Sequence, residues 1–191
     1  MTATLFDRLA GVSAPPLIVA EMSGNHNGDL ERALAIVDAA AAAGAHALKI
    51  QTYTADTMTL DSNASPFRIS GGLWDGYTLY KLYEEAHTPW AWHEALFAEA
   101  KKLGLICFSS PFDATAVDFL EQFEPPVYKL ASFEVTDLPL VRKIASTGRP
   151  VIMSTGMASL DEISTCVETL RSNGCPDIAV LRCVSSYPAD P

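Results

Sequence analysis

Two lysines stand where lysine is out of place. Ala47-Leu48-Lys49-Ile50-Gln51-Thr52-Tyr53 and Tyr128-Lys129-Leu130-Ala131-Ser132-Phe133-Glu134 have the β-branched, aromatic and aliphatic make-up of buried strands, each with an ammonium inside it. Lysine is almost never fully buried unless paired, so each either snorkels at a strand end or faces a polar cavity where an anion meets it. The remaining lysines, Lys81, Lys101, Lys102 and Lys143, lie in helix-like or exposed contexts. Glu21 closes an earlier apolar run, while Ser132, Glu134, Ser154, Ser185 and Tyr187 lie at or just past the ends of others. Lysines supply point charges for phosphate or carboxylate, hydroxyls add directed donors, and a glutamate near lysine and an apolar wall can be tuned for acid–base work. Taken singly, each glutamate reads first as a structural partner. Strand parity adds a condition. Lys129 and Ser132 fall on opposite faces of a regular strand, so both reach one site only if the strand ends or bulges near Ala131.

The elements that must position these groups repeat along the chain. Leu17 to Glu21 reads as a strand, then a polar turn from Ser23 to Asp29, then a helix carrying Leu30, Leu34, Val37 and Ala41. Gly44 stops that helix and the Lys49 strand follows, which makes a βαβ unit. After a long polar stretch between Tyr53 and Tyr77, Thr88-Pro89 is expected to cap a helix running to about Lys102. Further strands are expected over Leu105 to Ser109, Val127 to Ser132, Pro150 to Thr155 and Ile178 to Val184. Helices fill the gaps: Ala114 to Phe123, one capped by Asp137, and one opened by a Ser159/Glu162 capping box. Glycines 44, 104, 148 and 174 each sit between a helix and the next strand, so the αβ connections look alike while the βα connections carry the unusual residues.

That asymmetry places the site, since ligands of parallel α/β folds lie at the carboxyl ends of the strands. No Gly-x-Gly-x-x-Gly follows any strand, which disfavours a dinucleotide-binding sheet. The expected class is α/β, a TIM-type (β/α)8 barrel represented by its N-terminal six βα units. A complete barrel takes about 250 residues and eight strands, so residues 1–191 are expected to form a partial barrel.

Charge and cysteine usage narrow the function. A net charge of −10 excludes nucleic acid and an anionic membrane surface as partners, because both need a basic footprint. Met1 to Ser13 lacks the apolar core of a signal peptide, and no run approaches the roughly 18 apolar residues of a membrane span. A cytoplasmic protein is expected. Cys107, Cys166, Cys175 and Cys183 lack metal-knuckle spacing and read as free, mostly buried thiols, the first and last within strand-like runs. His46 and His93 sit in helical or helix-end contexts, whereas His26, in the first βα loop, either holds that loop by hydrogen bonds or touches ligand. No histidine pair has helix-face metal spacing, so no metal ligand is assigned in this chain. Trp90 and Trp92 read as core; Trp74 is open as core or as the wall of a sugar site.

In order along the chain, Glu21 with Asn25-His26-Asn27-Gly28, Lys49-Ile50-Gln51-Thr52, Ser109-Ser110-Pro111-Phe112, Tyr128-Lys129 with Ser132 and Glu134, Ser154-Thr155-Gly156-Met157, and Ser185 with Tyr187-Pro188 resemble the sialic-acid-type synthases. That family condenses phosphoenolpyruvate with an N-acylated amino sugar. Leu73-Trp74-Asp75-Gly76, Ala86-His87-Thr88-Pro89-Trp90 and Ser132-Phe133-Glu134 look more like its pseudaminic acid synthase branch than its N-acetylneuraminate branch. The resemblance implies a barrel followed by an antifreeze-like domain, a homodimer, and a divalent manganese or magnesium ion whose ligands come from later strands. It implies that Lys49, Lys129, Ser132, Ser154 and Ser185 hold phosphoenolpyruvate, that Tyr187 touches the sugar, and that Glu21 and Glu134 serve in proton transfer. Ser185 stands where the neuraminate branch has asparagine. Alternatives are a neuraminate or legionaminate synthase, a non-catalytic barrel fragment serving as an interaction module, and a Schiff-base aldolase using Lys129. The isolated 191-residue chain is expected to be catalytically silent.

Overall fold

A computed structural model describes residues 16–72 and 74–184. The chain divides into two compact units, Ile18–Cys107 and the segment from Phe108 onward, and the boundary falls inside one strand.

In the first unit, strand β1 (Val19–Glu21) leads into helix α1 (Leu30–Ala42), strand β2 (Ala47–Thr52), a short helix α2 (Ala55–Met58) and helix α3 (Leu79–Ala86). A 3₁₀ turn (Trp90–Trp92) then runs into helix α4 (His93–Lys102), and strand β3 (Ile106–Pro111) begins. Helix α1 starts where Asp29 accepts the Glu31 and Arg32 N–H groups at 2.8 and 3.4 Å, satisfying donors that the first turn leaves free. Strands β1 and β2 pair in parallel, Glu21 opposite Lys49. In β2 the alternate residues Leu48, Ile50 and Thr52 are fully buried, while Lys49 and Gln51 on the other parity are half-buried. Leu48 and Ile50 pack with Met22, Val37, Leu96 and Leu105, and each such side chain contributes about 1.5–3 kcal/mol of burial.

In the second unit, β3 is followed by α5 (Ala114–Glu121), β4 (Tyr128–Leu130), a 3₁₀ turn (Ser132–Thr136), α6 (Leu138–Ala145), β5 (Val151–Ser154), α7 (Leu160–Ser172) and β6 (Ile178–Leu181). Strands β3 to β6 pair in parallel with their chain neighbours. Asp137 caps α6 through the Leu140 N–H at 3.1 Å, and Ser159 and Glu162 close a capping box on α7, both as expected. Six parallel strands alternating with helices, each paired with its neighbour in sequence, are the first six units of a TIM-type barrel.

Several expected boundaries shift. Strand β4 ends at Leu130, three residues after the expected start at Val127, because Ala131 and Ser132 leave the ladder for a 3₁₀ turn. Thr88 does not cap α4: its hydroxyl contacts His26, and the 3₁₀ turn over Trp90–Trp92 precedes the helix. The stretch after Tyr53 holds α2, a 3₁₀ turn (Ser65–Phe67) and α3, the last with no counterpart in the sequence reading. Cys183 is not inside a strand, since β6 stops at Leu181, and it is half-exposed, unlike the buried Cys107, Cys166 and Cys175. The four connecting glycines, Gly44, Gly104, Gly148 and Gly174, all take the positive φ that ends a helix cheaply only for glycine.

Candidate functional site

Each unit embeds one lysine in a strand beside a glutamate. In the first, the register that sets Glu21 opposite Lys49 also sets both side chains on one face, and they form an ion pair. The other Glu21 oxygen accepts the Ser23 N–H at 3.2 Å and the Ser23 hydroxyl at 3.0 Å. Both carboxylate oxygens are thus engaged, and Glu21, the last residue of β1, fixes the Lys49 ammonium. With side chains 16% and 35% exposed, the pair is partly solvated, so its value is positional more than energetic.

The loop that follows Glu21 is held by His26, which is fully buried. Its Nδ1 accepts the Gly28 N–H at 3.1 Å, its Nε2 meets the Thr88 hydroxyl at 3.3 Å, and its ring packs edge-on against Trp92 at 5.3 Å. Burial, helped by the His87 charge, lowers its pKa and keeps it neutral. His26 is therefore the brace of this loop, one of the two roles the sequence left open. His93 is also fully buried, bonded to the Thr52 hydroxyl at 2.8 Å and to the Pro89 carbonyl at 3.3 Å. Burial lowers its pKa to about 4 against the opposing effect of backbone hydrogen bonds.

In the second unit, Lys129 is 9% exposed and donates to the Leu130 carbonyl at 2.7 Å. The chain turns at Ala131, meeting the condition that strand parity imposed, and the 3₁₀ turn brings Ser132 and Glu134 to the end of β4. Glu134 Oε2 is buried with no hydrogen-bond partner among the described residues. Desolvation raises the Glu134 pKa, opposed by its own backbone N–H and by the Lys129 charge and reinforced by Asp137. A carboxyl whose pKa is raised by burial near an ammonium is suited to proton transfer.

Ser132 Oγ accepts the Gly156 N–H at 3.2 Å and lies 3.3 Å from Cys183 Sγ. The Ser132 hydroxyl lowers the Cys183 pKa, with smaller help from the Gly156 and Thr155 backbone and the Ser154 hydroxyl against weak desolvation. The Ser132 and Ser154 hydroxyls thus gather with the Thr155–Gly156 backbone at the ends of β4 and β5, the Gly156 N–H given to Ser132 and the Thr155 N–H to the Leu181 carbonyl. Cys183 is the residue that sequence reasoning missed here; its only signal was its place just before Ser185. Ser185 and Tyr187 lie outside the described residues. Of the expected site residues, the structure joins Glu21 with Lys49 in the first unit, and Lys129, Ser132, Glu134 and Ser154 in the second.

Among the described residues no group of three His, Cys, Asp or Glu side chains converges as metal ligands, so the residues present do not fit the divalent ion that the resemblance implies. No helix among them is long and apolar enough to cross a membrane.

A pseudaminic acid synthase of Campylobacter jejuni is 49% identical over 171 residues, covering 90% of this chain and 50% of that protein. A pseudaminic acid synthase of Helicobacter pylori is 47% identical over 175 residues, covering 92% of this chain and 52% of its own length. The crystal structure of an N-acetylneuraminic acid synthetase from Leptospira borgpetersenii, solved with citrate, superposes with a TM-score of 0.79 at 31% identity, over 92% of this chain and 56% of the other. The chain spans about half the length of the curated relatives it matches. The family model for the NeuB family matches residues 36–191, and the chain belongs to that family.

Proposed function

We propose that the protein condenses phosphoenolpyruvate with a diacetamido trideoxy hexose to give a nine-carbon nonulosonic acid of the pseudaminic type and inorganic phosphate. C3 of phosphoenolpyruvate attacks the open-chain aldehyde carbon, water adds at C2, and the C2–O bond breaks so that phosphate leaves with the bridging oxygen. The supporting observation is the placing, at the end of β4, of buried Lys129 and of Glu134, a carboxyl of raised pKa that feels the Lys129 charge and whose Oε2 is buried without a hydrogen-bond partner among the described residues. Lys129 and Lys49 offset the charge of phosphoenolpyruvate, the hydroxyls of Ser132 and Ser154 orient it, and Glu134 moves the proton at C2 chemistry. Glu21 sets the position of Lys49. Ser185 and Tyr187 complete the substrate contacts in this reading. The names of the relatives, at nearly half identity over most of the chain, favour the pseudaminic branch over neuraminate or legionaminate synthesis. A manganese or magnesium ion, a homodimer and a cytoplasmic setting belong to the same reading, and no step above is assigned to the metal.

The test is a condensation assay on the full-length protein with phosphoenolpyruvate labelled with ¹⁸O at the bridging position. Label recovered in phosphate, together with a nonulosonic acid product, is the expected result. Label retained in the organic product, or no product with any N-acylated hexose, sinks the reading. Borohydride treatment with a keto acid addresses the aldolase alternative, because an imine on Lys129 would be trapped as a secondary amine.

A further inference from the structure

Trp74 is the aromatic among the exposed large apolar side chains of the first unit, beside the aliphatic Ile18, Val19, Leu60 and Leu103. It is 37% exposed, on the connection that follows β2, and in barrel folds the connections after the strands carry the ligand contacts. The segment around it is a tied turn. The Ile69 N–H donates to the Tyr77 carbonyl at 2.9 Å, the Gly76 N–H to the Ile69 carbonyl at 3.1 Å, and the Gly71 N–H to Asp75 Oδ1 at 2.6 Å. Arg68 and Thr78 form an antiparallel bridge at its base, where Arg68 Nε also donates to the Asn63 carbonyl at 3.0 Å. The Tyr80 hydroxyl, 2.9 Å from Asp56, fastens α3 to α2. Trp74 itself packs edge-on against Tyr77 at 5.4 Å, and the Lys81 ammonium lies 4.8 Å from the Tyr77 ring centre.

The Trp74 carbonyl accepts the Tyr77 N–H at 3.0 Å and its ring packs on Tyr77, so part of the ordering entropy of binding is already spent. The exposed aromatic is followed in the chain by Asp75 and packs on Tyr77, whose ring carries the Lys81 ammonium, a mixture of apolar face and charged edge that suits an acylated amino sugar. We propose that Trp74 is a specificity-determining residue, its indole taking the acetamido methyl and C6 methyl groups of the sugar substrate. The proposal rests on the condensation reading above. A diacetamido trideoxy hexose offers an additional acetamido methyl and a C6 methyl where N-acetylmannosamine has hydroxyl-bearing positions. Burying one or two methyl-sized groups against the indole corresponds to roughly four- to fifteenfold in affinity.

The experiment is calorimetry on the full-length protein with each of the two sugars, for wild type, Trp74→Phe and Trp74→Ala, with circular dichroism to confirm the fold and phosphoenolpyruvate affinity measured alongside. Trp74→Ala is expected to weaken the diacetamido sugar roughly four- to fifteenfold, to leave N-acetylmannosamine nearly unchanged, and to be rescued in part by Trp74→Phe. Equal losses for both sugars, or no loss for either, overturn the proposal. So does a concentration-dependent rise in sedimentation mass that Trp74→Ala abolishes while sugar binding persists, since the indole would then serve a contact between protein chains. Failure of wild type to bind phosphoenolpyruvate defeats the condensation reading itself, a result separable from an unchanged sugar preference.

Discussion

The Ser132 hydroxyl stands between the Gly156 N–H, from which it accepts, and the Cys183 sulfur 3.3 Å away. This one contact gives the thiol a partner that stabilises the thiolate. Cys183 is therefore expected to react with iodoacetamide first among the four cysteines, since burial pushes Cys107 up to about 12 and Cys166 up to about 11 and also raises Cys175. Peptide mapping by mass spectrometry reads the order. Ser132→Ala should slow alkylation of Cys183, and phosphoenolpyruvate should protect it; equal labelling of all four thiols would contradict the geometry.

Lys129→Met should weaken phosphoenolpyruvate binding by about ten- to a hundredfold, the scale of a lost charge-assisted contact of roughly 1.5–3 kcal/mol. Calorimetry on the folded variant measures it. Unchanged affinity removes Lys129 from the binding site and leaves it a structural donor to the Leu130 carbonyl.

Glu134→Gln is expected to cut turnover by about a hundredfold or more with ligand affinity changed only a few fold. The same substitution should also stabilise the fold at alkaline pH. Glu134 has a raised pKa, so the stability linked to it is complete below the ordinary glutamate range and is lost as pH rises through the raised value. Urea denaturation at pH 5 and pH 8 separates the roles: a purely structural Glu134 would lower stability at both values and leave turnover per folded molecule intact.

For His93 the sign reverses. Its folded pKa, about 4, lies below the ordinary 6.5, so the unfolded chain binds the extra proton and stability falls as pH drops from the ordinary value toward 4. Between pH 7 and pH 5 the loss attributable to this ring is about 2 kcal/mol. His93→Gln should flatten that part of the stability profile; an unaltered slope would mean that the ring is solvated in solution.

The strands and their order were legible because each is a short apolar run bounded by turn residues, and the glycines at 44, 104, 148 and 174 marked the ends of α1, α4, α6 and α7 with a backbone requirement that no other residue meets cheaply. Lys49 and Lys129 were legible as anomalies of composition. Their partners were not: the register of β1 against β2, which joins Glu21 to Lys49, is a long-range choice that local pattern cannot carry. Helix α3 escaped because it is eight residues long and follows a glycine-rich stretch. Thr88 looked like a cap since caps are read from neighbours in sequence, while its actual partner, His26, is 62 residues away. Cys183 looked buried because it lies in a run that is apolar apart from Arg182, although the strand ends two residues earlier.

His26 and His93 differ in which nitrogen carries the proton. Gly28 can only donate to His26 Nδ1, which places that proton on Nε2; the Pro89 carbonyl can only accept from His93 Nδ1, which places the proton there and leaves Nε2 to take the Thr52 hydroxyl. Two buried imidazoles in one unit thus occupy opposite tautomers. Imidazole nitrogen-15 spectra separate such forms by chemical shift, so the two rings act as independent labels, one for the loop after Glu21 and one for the start of α4. Loosening of either segment on ligand addition becomes visible as tautomer averaging at one ring while the other stays fixed, with no probe added to the protein.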